Sequence, residues 1–140
     1  MPTPNTTPIF TLTPAAITST IAAANTARDG SGTLVTAFTA GANGSRVDFI
    51  TFTSSQATAA ASAVRVQRVF LTNESGLSPT LIQEVVLPAV TASTTAIGAT
   101  STITFTNGLV INAGQIIRVS QSVYGSAADG TSVIVRGGNY

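Results

Sequence analysis

Apolar and polar residues alternate in short segments along most of the chain after residue 32. In the segment 116–123, for example, Ile117, Val119 and Val123 are separated by polar side chains. A period of two residues is typical of a β-strand with one buried face, and no strong period of 3.6 residues indicates a helix here. The pattern predicts about eight strands, over residues 33–40, 45–54, 63–71, 81–87, 100–105, 109–111, 116–123 and 131–136.

Turn-forming dipeptides separate these segments, notably Asn43-Gly44, Asn107-Gly108 and Asp129-Gly130. Asn-Gly and Asp-Gly favour tight turns because both residues tolerate a positive φ. Many short strands at spacings of about 8–12 residues are typical of a sandwich or barrel. The sequence therefore predicts a single all-β domain, an antiparallel β-sandwich of the jelly-roll type, and leaves its strand order open. Residues 15–24 do not decide between helix and strand.

The first fourteen residues differ from the rest because they contain four prolines. Proline disfavours a helix and favours an extended path. We therefore expect an extended N-terminal arm at 1–14 and the sandwich domain at 15–140. Ile9, Phe10 and Leu12 are apolar residues of this arm, and we expect them to dock on a partner surface. The alternative is a frayed terminus.

The composition narrows the function classes. Charged residues make up 8% of the 140 residues, against about 25% in typical soluble domains. Serine and threonine fill about a quarter of the chain, so the surface must be largely hydroxyl-bearing. Because the cores of protein interfaces are depleted of charge, this composition suits a surface that meets protein neighbours. A threonine-rich β surface without a partner is the alternative.

Several residue types are missing from the sequence. There is no cysteine and no histidine, which removes disulfides, thiolate catalysis and the usual general base near neutral pH. The six cationic residues are all arginines without a basic cluster, so we expect no nucleic-acid binding. No run of about 18 apolar residues predicts a membrane span. No positive charge precedes Arg28, so we expect no secretory signal and synthesis in a cytoplasm.

The five carboxylates give little sign of a reaction centre. Asp29 and Asp129 each precede a glycine and are expected to serve turns, and neither segment has the further acids of a calcium loop. Asp48 lies two residues from Arg46, with which it is expected to pair on one strand face. A pair of acids held about 5–10 Å apart would suffice for glycoside hydrolysis, but no such pair stands out. The sequence thus predicts a protein that is not an enzyme and that has no cofactor and no metal site.

Candidate contact residues lie in two predicted strands. Arg65 and Arg68 interrupt an apolar strand, and their spacing of three places them on opposite faces unless a bulge intervenes. Arginine forks pair well with carboxylates and carbonyls at interfaces, although an exposed arginine can simply cover apolar surface with its stem. The segment 81–87 has apolar residues on both faces, so either loops or another subunit cover its outer face, and the subunit is favoured. Its candidate contact residues are Ile82, Glu84 and Val86.

Four stretches, at residues 24–35, 38–48, 107–114 and 136–140, resemble small proteins encoded among the structural genes of tailed bacteriophages. Some of these proteins act as capsid cement or decoration proteins. The resemblance covers most of residues 20–140. It consists of turns and strands without an active-site pattern, so no functional residues carry over.

The resemblance implies a virion structural protein, a capsid cement protein that binds the outer surface of an assembled shell. Its expected partners are the major capsid protein and further copies of itself in a homo-oligomer, with a trimer expected first. A tail-associated receptor-binding or carbohydrate-binding module is the alternative, although the chain has no tryptophan for stacking on a sugar. A small glycan hydrolase is a third and weaker reading.

Overall fold

The computed structural model describes residues 13–56 and 60–140. Within them the chain is all-β, with 55% of residues in strands. The elements are β1 (Thr13–Ile21), β2 (Val35–Thr39), β3 (Ser45–Ser54), β4 (Arg65–Leu71), β5 (Thr80–Leu87), β6 (Thr100–Ile111), β7 (Ile116–Gln121), a 3₁₀ turn at Ala127–Asp129, and β8 (Thr131–Asn139). Two four-stranded antiparallel sheets pack against each other, which confirms the predicted β-sandwich.

The strand order follows from one nested pattern of pairing. Sheet A has the order β1-β8-β3-β6, and sheet B has the order β2-β7-β4-β5. The first strand pairs with the eighth, the second with the seventh, the third with the sixth and the fourth with the fifth. The chain is thus one long hairpin that is rolled up so that its strand pairs fall in both sheets. This topology is that of a jelly roll.

The core lies between the two sheets and is built from aliphatic and phenylalanine side chains. Phe38, Phe52, Ile117 and Val133 are each 0–1% exposed and come from four different strands. Strand residues between these positions point outward, as the alternating pattern predicted. Burial of each such side chain contributes roughly 1.5–3 kcal/mol, so the core supplies the main stabilisation of the sandwich.

One predicted turn is wrong. Asn107 and Gly108 do not reverse the chain, because β6 continues through them to Ile111. Both residues have a positive φ, of 66° and 76°, and the pairing register with β3 shifts between Val47 and Phe49. Four residues of β6, 105–108, lie opposite the single residue Asp48 of β3. Extra residues on one strand are the mark of a β-bulge, so the Asn-Gly pair bends the strand here instead of ending it.

The N-terminal boundary also differs from the prediction. Residues 15–24, which the sequence left undecided, contribute to β1, and this strand already starts at Thr13. The predicted arm at 1–14 therefore loses its last two residues to the sheet. Pro14 is tolerated because β1 is an edge strand, where the missing N–H need not bond a neighbour. Ile9, Phe10 and Leu12 lie outside the described residues, so their docking stays a prediction.

The connection between β1 and β2 crosses the outer face of sheet B. The backbone N–H of Asn25 donates to the carbonyl of Gln121 at 2.8 Å. The side-chain amide of Asn25 donates to the carbonyls of Ser31 (2.8 Å) and Thr33 (2.9 Å), which folds the segment back on itself. Residues 22–34, called the crossing loop below, therefore form an ordered cover over part of the sheet.

Candidate partner-binding surface

A shared carboxylate anchors the crossing loop to sheet B. The Oε1 atom of Glu84 accepts a hydrogen bond from Nε of Arg68 at 2.9 Å and forms an ion pair with Nε of Arg28 at 3.2 Å. Nη1 of Arg68 also donates to the carbonyl of Asn25 at 2.9 Å. Arg28 and Asn25 belong to the loop, whereas Arg68 and Glu84 are cross-strand neighbours on β4 and β5. The three charged groups therefore hold the loop on the sheet.

An apolar patch lies next to this ion cluster. Val66 of β4 and Val86 of β5 are directly opposite each other, and Val64 lies two residues before Val66. Val64 is 57% exposed and Val86 is 52% exposed. We call these three residues the valine patch. An open depression of about 250 Å³ is lined by Val66 and Val86 together with Arg28 and Glu84. Exposed apolar side chains beside a charged rim are typical of a protein contact surface.

The prediction that Arg65 contacts a partner is wrong. Arg65 is 1% exposed, and its guanidinium points between the two sheets. It donates to the carbonyl of Ala63 (2.9 Å), the hydroxyl of Thr131 (3.1 Å), and, through Nη2, to the hydroxyl of Ser54 and the carbonyl of Gly130 (3.2 Å each). Burial lowers the pKa of this guanidinium, and the charge of Asp129 opposes that shift. Arg65 therefore links its own segment to the end of β3 and to residues 130–131 at the start of β8.

Arg68 and Ile82 also differ from the prediction. Arg68 points to the opposite face from Arg65, as its spacing predicted, but it is 5% exposed because the crossing loop covers it. Ile82 packs against the core, since the register between β4 and β5 shifts between Val69 and Phe70. Arg68 is thus covered by the loop and Ile82 is only partly exposed, and that either contacts a partner stays a prediction.

Glu84 and Val86 are the remaining candidates, and both lie on the outer face of sheet B. The crossing loop reaches Glu84 through Arg28, whereas Val86 stays exposed. The outer face of β5 is thus covered by a loop at one end and left open at the other. That a partner binds Val86 stays a prediction.

Asp129 has a role that the sequence did not indicate. Its carboxylate accepts hydrogen bonds from the backbone N–H groups of Ala63 (2.7 Å) and Gly125 (2.8 Å), and it is 5% exposed. Burial opposes ionisation, but the hydrogen bonds from Ala63, Gly125 and Ser126, together with the charge of Arg65, outweigh it, and the pKa of Asp129 lies below its ordinary value. Asp129 therefore joins the segment before β4 to the segment after β7.

The other acids serve local structure. Asp29 accepts bonds from the hydroxyl (2.6 Å) and N–H (3.0 Å) of Ser31, which lower the pKa of Asp29, as its predicted turn role suggests. Asp48 pairs with Arg46 at 2.8 Å, which confirms that prediction. Within residues 13–56 and 60–140, no three acidic side chains group in a way that could hold a metal ion. The lack of enzymatic activity stays a prediction.

The outer face of sheet A forms a second surface that the sequence did not predict. Two rows of directly opposed residues run across its four strands. They are Thr18, Ile134, Thr51 and Thr102 in one row, and Thr20, Ser132, Thr53 and Thr100 in the other. The hydroxyls of Thr51 and Thr102 lie 3.0 Å apart. We call these eight residues the hydroxyl surface; it contains no charged residue.

A wider open depression of about 420 Å³ lies beside the hydroxyl surface, on the same face of sheet A. Phe49, Asp48 and Arg136 line it together with small residues of β1. The guanidinium carbon of Arg136 lies 5.7 Å from the centroid of the Phe49 ring, which is the geometry of a cation–π contact. The depression therefore combines an aromatic ring with one acidic and one basic group.

The comparisons with known proteins do not place the chain in a family. No known protein family, no curated protein and no solved structure matches it. Within the part of the chain that the structure describes, no helix has the length and apolar character that a membrane crossing requires.

Proposed function

We propose that the chain is a structural protein of a bacteriophage virion, a cement protein that binds the outside of the assembled capsid. The proposal includes the major capsid protein as partner, synthesis in the host cytoplasm and no enzymatic activity. The observation that supports it best is the presence of two low-charge surfaces on opposite faces of one sandwich. These are the valine patch on sheet B and the hydroxyl surface on sheet A.

A cement protein needs more than one contact surface because it bridges neighbouring subunits. Each copy binds the assembled shell and not the separated subunits, so mass action stabilises the shell. Several weak contacts on one particle add through multivalency, which removes the need for a single deep site. The sequence resemblance to structural proteins of tailed phages supports the same role. Because the two surfaces have few charged groups, little free energy is lost when a partner removes them from water.

The experiment is reconstitution on capsids that lack the protein. Purified protein is added to such particles, free protein is removed by sedimentation, and bound copies are counted by gel densitometry. We expect saturable binding in a fixed ratio to the major capsid protein, and a higher temperature of capsid disruption. Absence of the protein from the heads of purified particles, or binding without a gain in capsid stability, would overturn the proposal.

A tail-associated carbohydrate-binding module is the second candidate, and the depression on sheet A favours it. Sugar sites combine an aromatic face with polar groups, and Phe49, Asp48 and Arg136 provide both. Binding to surface glycans of the host that is lost in Phe49→Ala and kept in Val86→Lys would support this role. Binding to capsids with no affinity for glycans would exclude it.

A further inference from the structure

The four edge strands of the sandwich differ in how they are protected. Sheet A ends in β1 and β6, and sheet B ends in β2 and β5. An edge strand presents unpaired backbone N–H and C=O groups to which another strand can add. Proteins that stay monomeric protect such edges with short strands, bulges, charged residues or covering segments.

Three of the four edges have such protection. β2 is five residues long, and its register with β7 shifts between Thr36 and Phe38. β5 has a register shift and the charged Glu84, and its Val86 carbonyl accepts a 2.7 Å hydrogen bond from the hydroxyl of Ser101. β6 is bent by the bulge at Asn107 and Gly108. Each of these edges interrupts the regular row of backbone groups that an added strand would need.

β1 has almost none of these features. It is nine residues long, contains no charged residue, and pairs with β8 through nine consecutive positions without a register shift. Most of its residues are exposed, and among the described residues its backbone makes no hydrogen bond outside this pairing. Pro14 lacks an N–H near the start of the strand. Along residues 15–21, every second residue directs its N–H and C=O away from β8, where a further strand could bond them.

Ile17, in the middle of β1, is unusual among the residues of sheet A. It lies on the side of the strand that faces the core, as do Ala15 and Ile21, yet it is 40% exposed. A further strand beside β1 would extend sheet A over this side chain and remove it from water. The open backbone and the exposed isoleucine thus mark the same position.

We propose that β1 pairs with β1 of a second copy of this chain, antiparallel across a two-fold axis, so that two A sheets form one continuous eight-stranded sheet. A second copy suits the edge because the strand is self-complementary. It contains no charge, so two-fold symmetry brings no like charges together, and its side chains are small or β-branched. Addition of a strand to an exposed edge is a common mode of protein association.

The length of β1 also sets the register. Pairing centred on Ile17, the midpoint of Thr13–Ile21, uses all nine residues of both strands. Ile17 then lies opposite Ile17 of the second copy, and Ala15 lies opposite Ser19. Such a two-fold contact closes with two copies, so this proposal makes the free oligomer a dimer, in place of the trimer expected from the resemblance. This inference does not depend on the role in a virion.

Cysteine cross-linking tests the register directly, because the chain contains no cysteine of its own. Under mild oxidation, Ile17→Cys is expected to form a disulfide dimer, since opposed residues of paired strands lie within disulfide reach. Ala15→Cys and Ser19→Cys are expected to cross-link when mixed and not when oxidised separately. Thr102→Cys on the other edge of sheet A is the control and should stay monomeric. Equal cross-linking of Ile17→Cys and Thr102→Cys would overturn the proposal.

Analytical ultracentrifugation tests whether the unmodified chain forms a dimer. Protein concentrations from about 1 to about 100 micromolar suit the weak association expected of a small interface. The full chain is expected to dimerise, Thr18→Lys to lose at least tenfold in affinity, and Thr102→Lys to keep it. Both threonines are exposed and point outward from sheet A, so they differ in which edge they occupy. A monomer throughout, a trimer, or the same loss in both variants would overturn the proposal. Dimerisation that appears only after residues 1–12 are deleted would also overturn it, because residues 1–12 would then be the segment that occupies the edge of β1 in the full chain.

Discussion

Arg68 and Glu84 lie directly opposite each other on β4 and β5, and Nε of Arg68 donates to Oε1 of Glu84 at 2.9 Å. Arg68 is buried beneath the crossing loop, whereas Glu84 stays partly exposed and also pairs with Arg28 of that loop. One carboxylate thus compensates a buried charge and holds a surface loop. This arrangement leaves Val86, two residues further along β5, uncovered.

Replacement of Glu84 tests this arrangement. Glu84→Gln is expected to lower the free energy of unfolding by roughly 1–3 kcal/mol, because the buried Arg68 loses the group that compensates its charge. Asp48→Asn is the matched control, since its ion pair with Arg46 is exposed and such pairs contribute about 0–1 kcal/mol. Urea unfolding at neutral pH gives both values. Equal losses in the two variants would contradict a structural role of the buried pair.

The carboxylate of Asp129 predicts a dependence of stability on pH. Its pKa in the folded protein lies below the ordinary 3.8, so its contribution is complete above that pH and is lost as the pH falls through the folded value. Asp129→Asn should cost roughly 1–3 kcal/mol at pH 7, because charged acceptors make stronger bonds to backbone N–H groups. The deficit relative to the unmodified protein should shrink below pH 3.8.

Asp29→Asn is the control for this experiment, because its bonds to Ser31 are exposed and local. We expect no measurable change in the free energy of unfolding for this variant. Thermal unfolding of the three proteins between neutral and acidic pH measures the effect. A deficit of Asp129→Asn that stays constant down to the lowest pH would show that its charge is not involved.

Gly137 of β8 lies in close contact with the backbone of Arg46 and Val47 on the neighbouring strand β3. A Cβ atom at this position would collide with the carbonyl oxygen of Arg46 and lie 2.9 Å from the Cα of Val47. Because both contacts are to backbone, Gly137→Ala is expected to lower the free energy of unfolding by roughly 2–4 kcal/mol. In the control variant Gly98→Ala, the added Cβ would lie 3.4 Å from Ser54, an ordinary contact distance. This variant should change the free energy of unfolding by less than about 0.5 kcal/mol. Chemical denaturation distinguishes the two, and equal stability would contradict the close approach.

The valine patch makes a prediction about particle binding. Val86→Lys should weaken binding to capsids by about tenfold or more, because a charge would be buried in an apolar contact. Val110→Lys is the control, since Val110 is 61% exposed on β6, outside this patch. Both variants should unfold at the same temperature as the unmodified protein. Similar binding of all three proteins would exclude the patch as a contact surface.

Deletion of residues 1–12 tests the predicted arm. The described core has its first member at Ile21 and its last at Val135, so the shortened chain should keep its melting temperature. Particle binding should weaken if Ile9, Phe10 and Leu12 dock on a partner, as the sequence predicts. Calorimetry and the reconstitution assay give the two readings. A shortened chain that does not fold would show that these residues belong to the sandwich.

The sequence was sufficient for features that depend on neighbouring residues. The period-two pattern predicted β3 at 45–54 with its observed bounds, and it placed β5 and β7 to within two residues at each end. It failed at Asn107-Gly108, where a positive φ serves a bulge as well as it serves a turn. The residue types at 107 and 108 predicted a backbone with positive φ, but they did not predict whether the chain would reverse or continue in the same strand.

The tertiary structure decided which side chains reach the surface. Arg65 is buried because acceptors at residues 54, 63, 130 and 131 converge on its guanidinium, and Arg68 is buried because a loop some forty residues earlier crosses it. Strand order, and with it the open edge of β1, also follows from pairing between distant segments. Alternation along a strand tells which residues share a face, but what covers that face depends on the rest of the chain. The sequence by itself therefore determined most of the strands, although it left β1 undecided and divided β6, and only the packing of the sheets determined the surfaces.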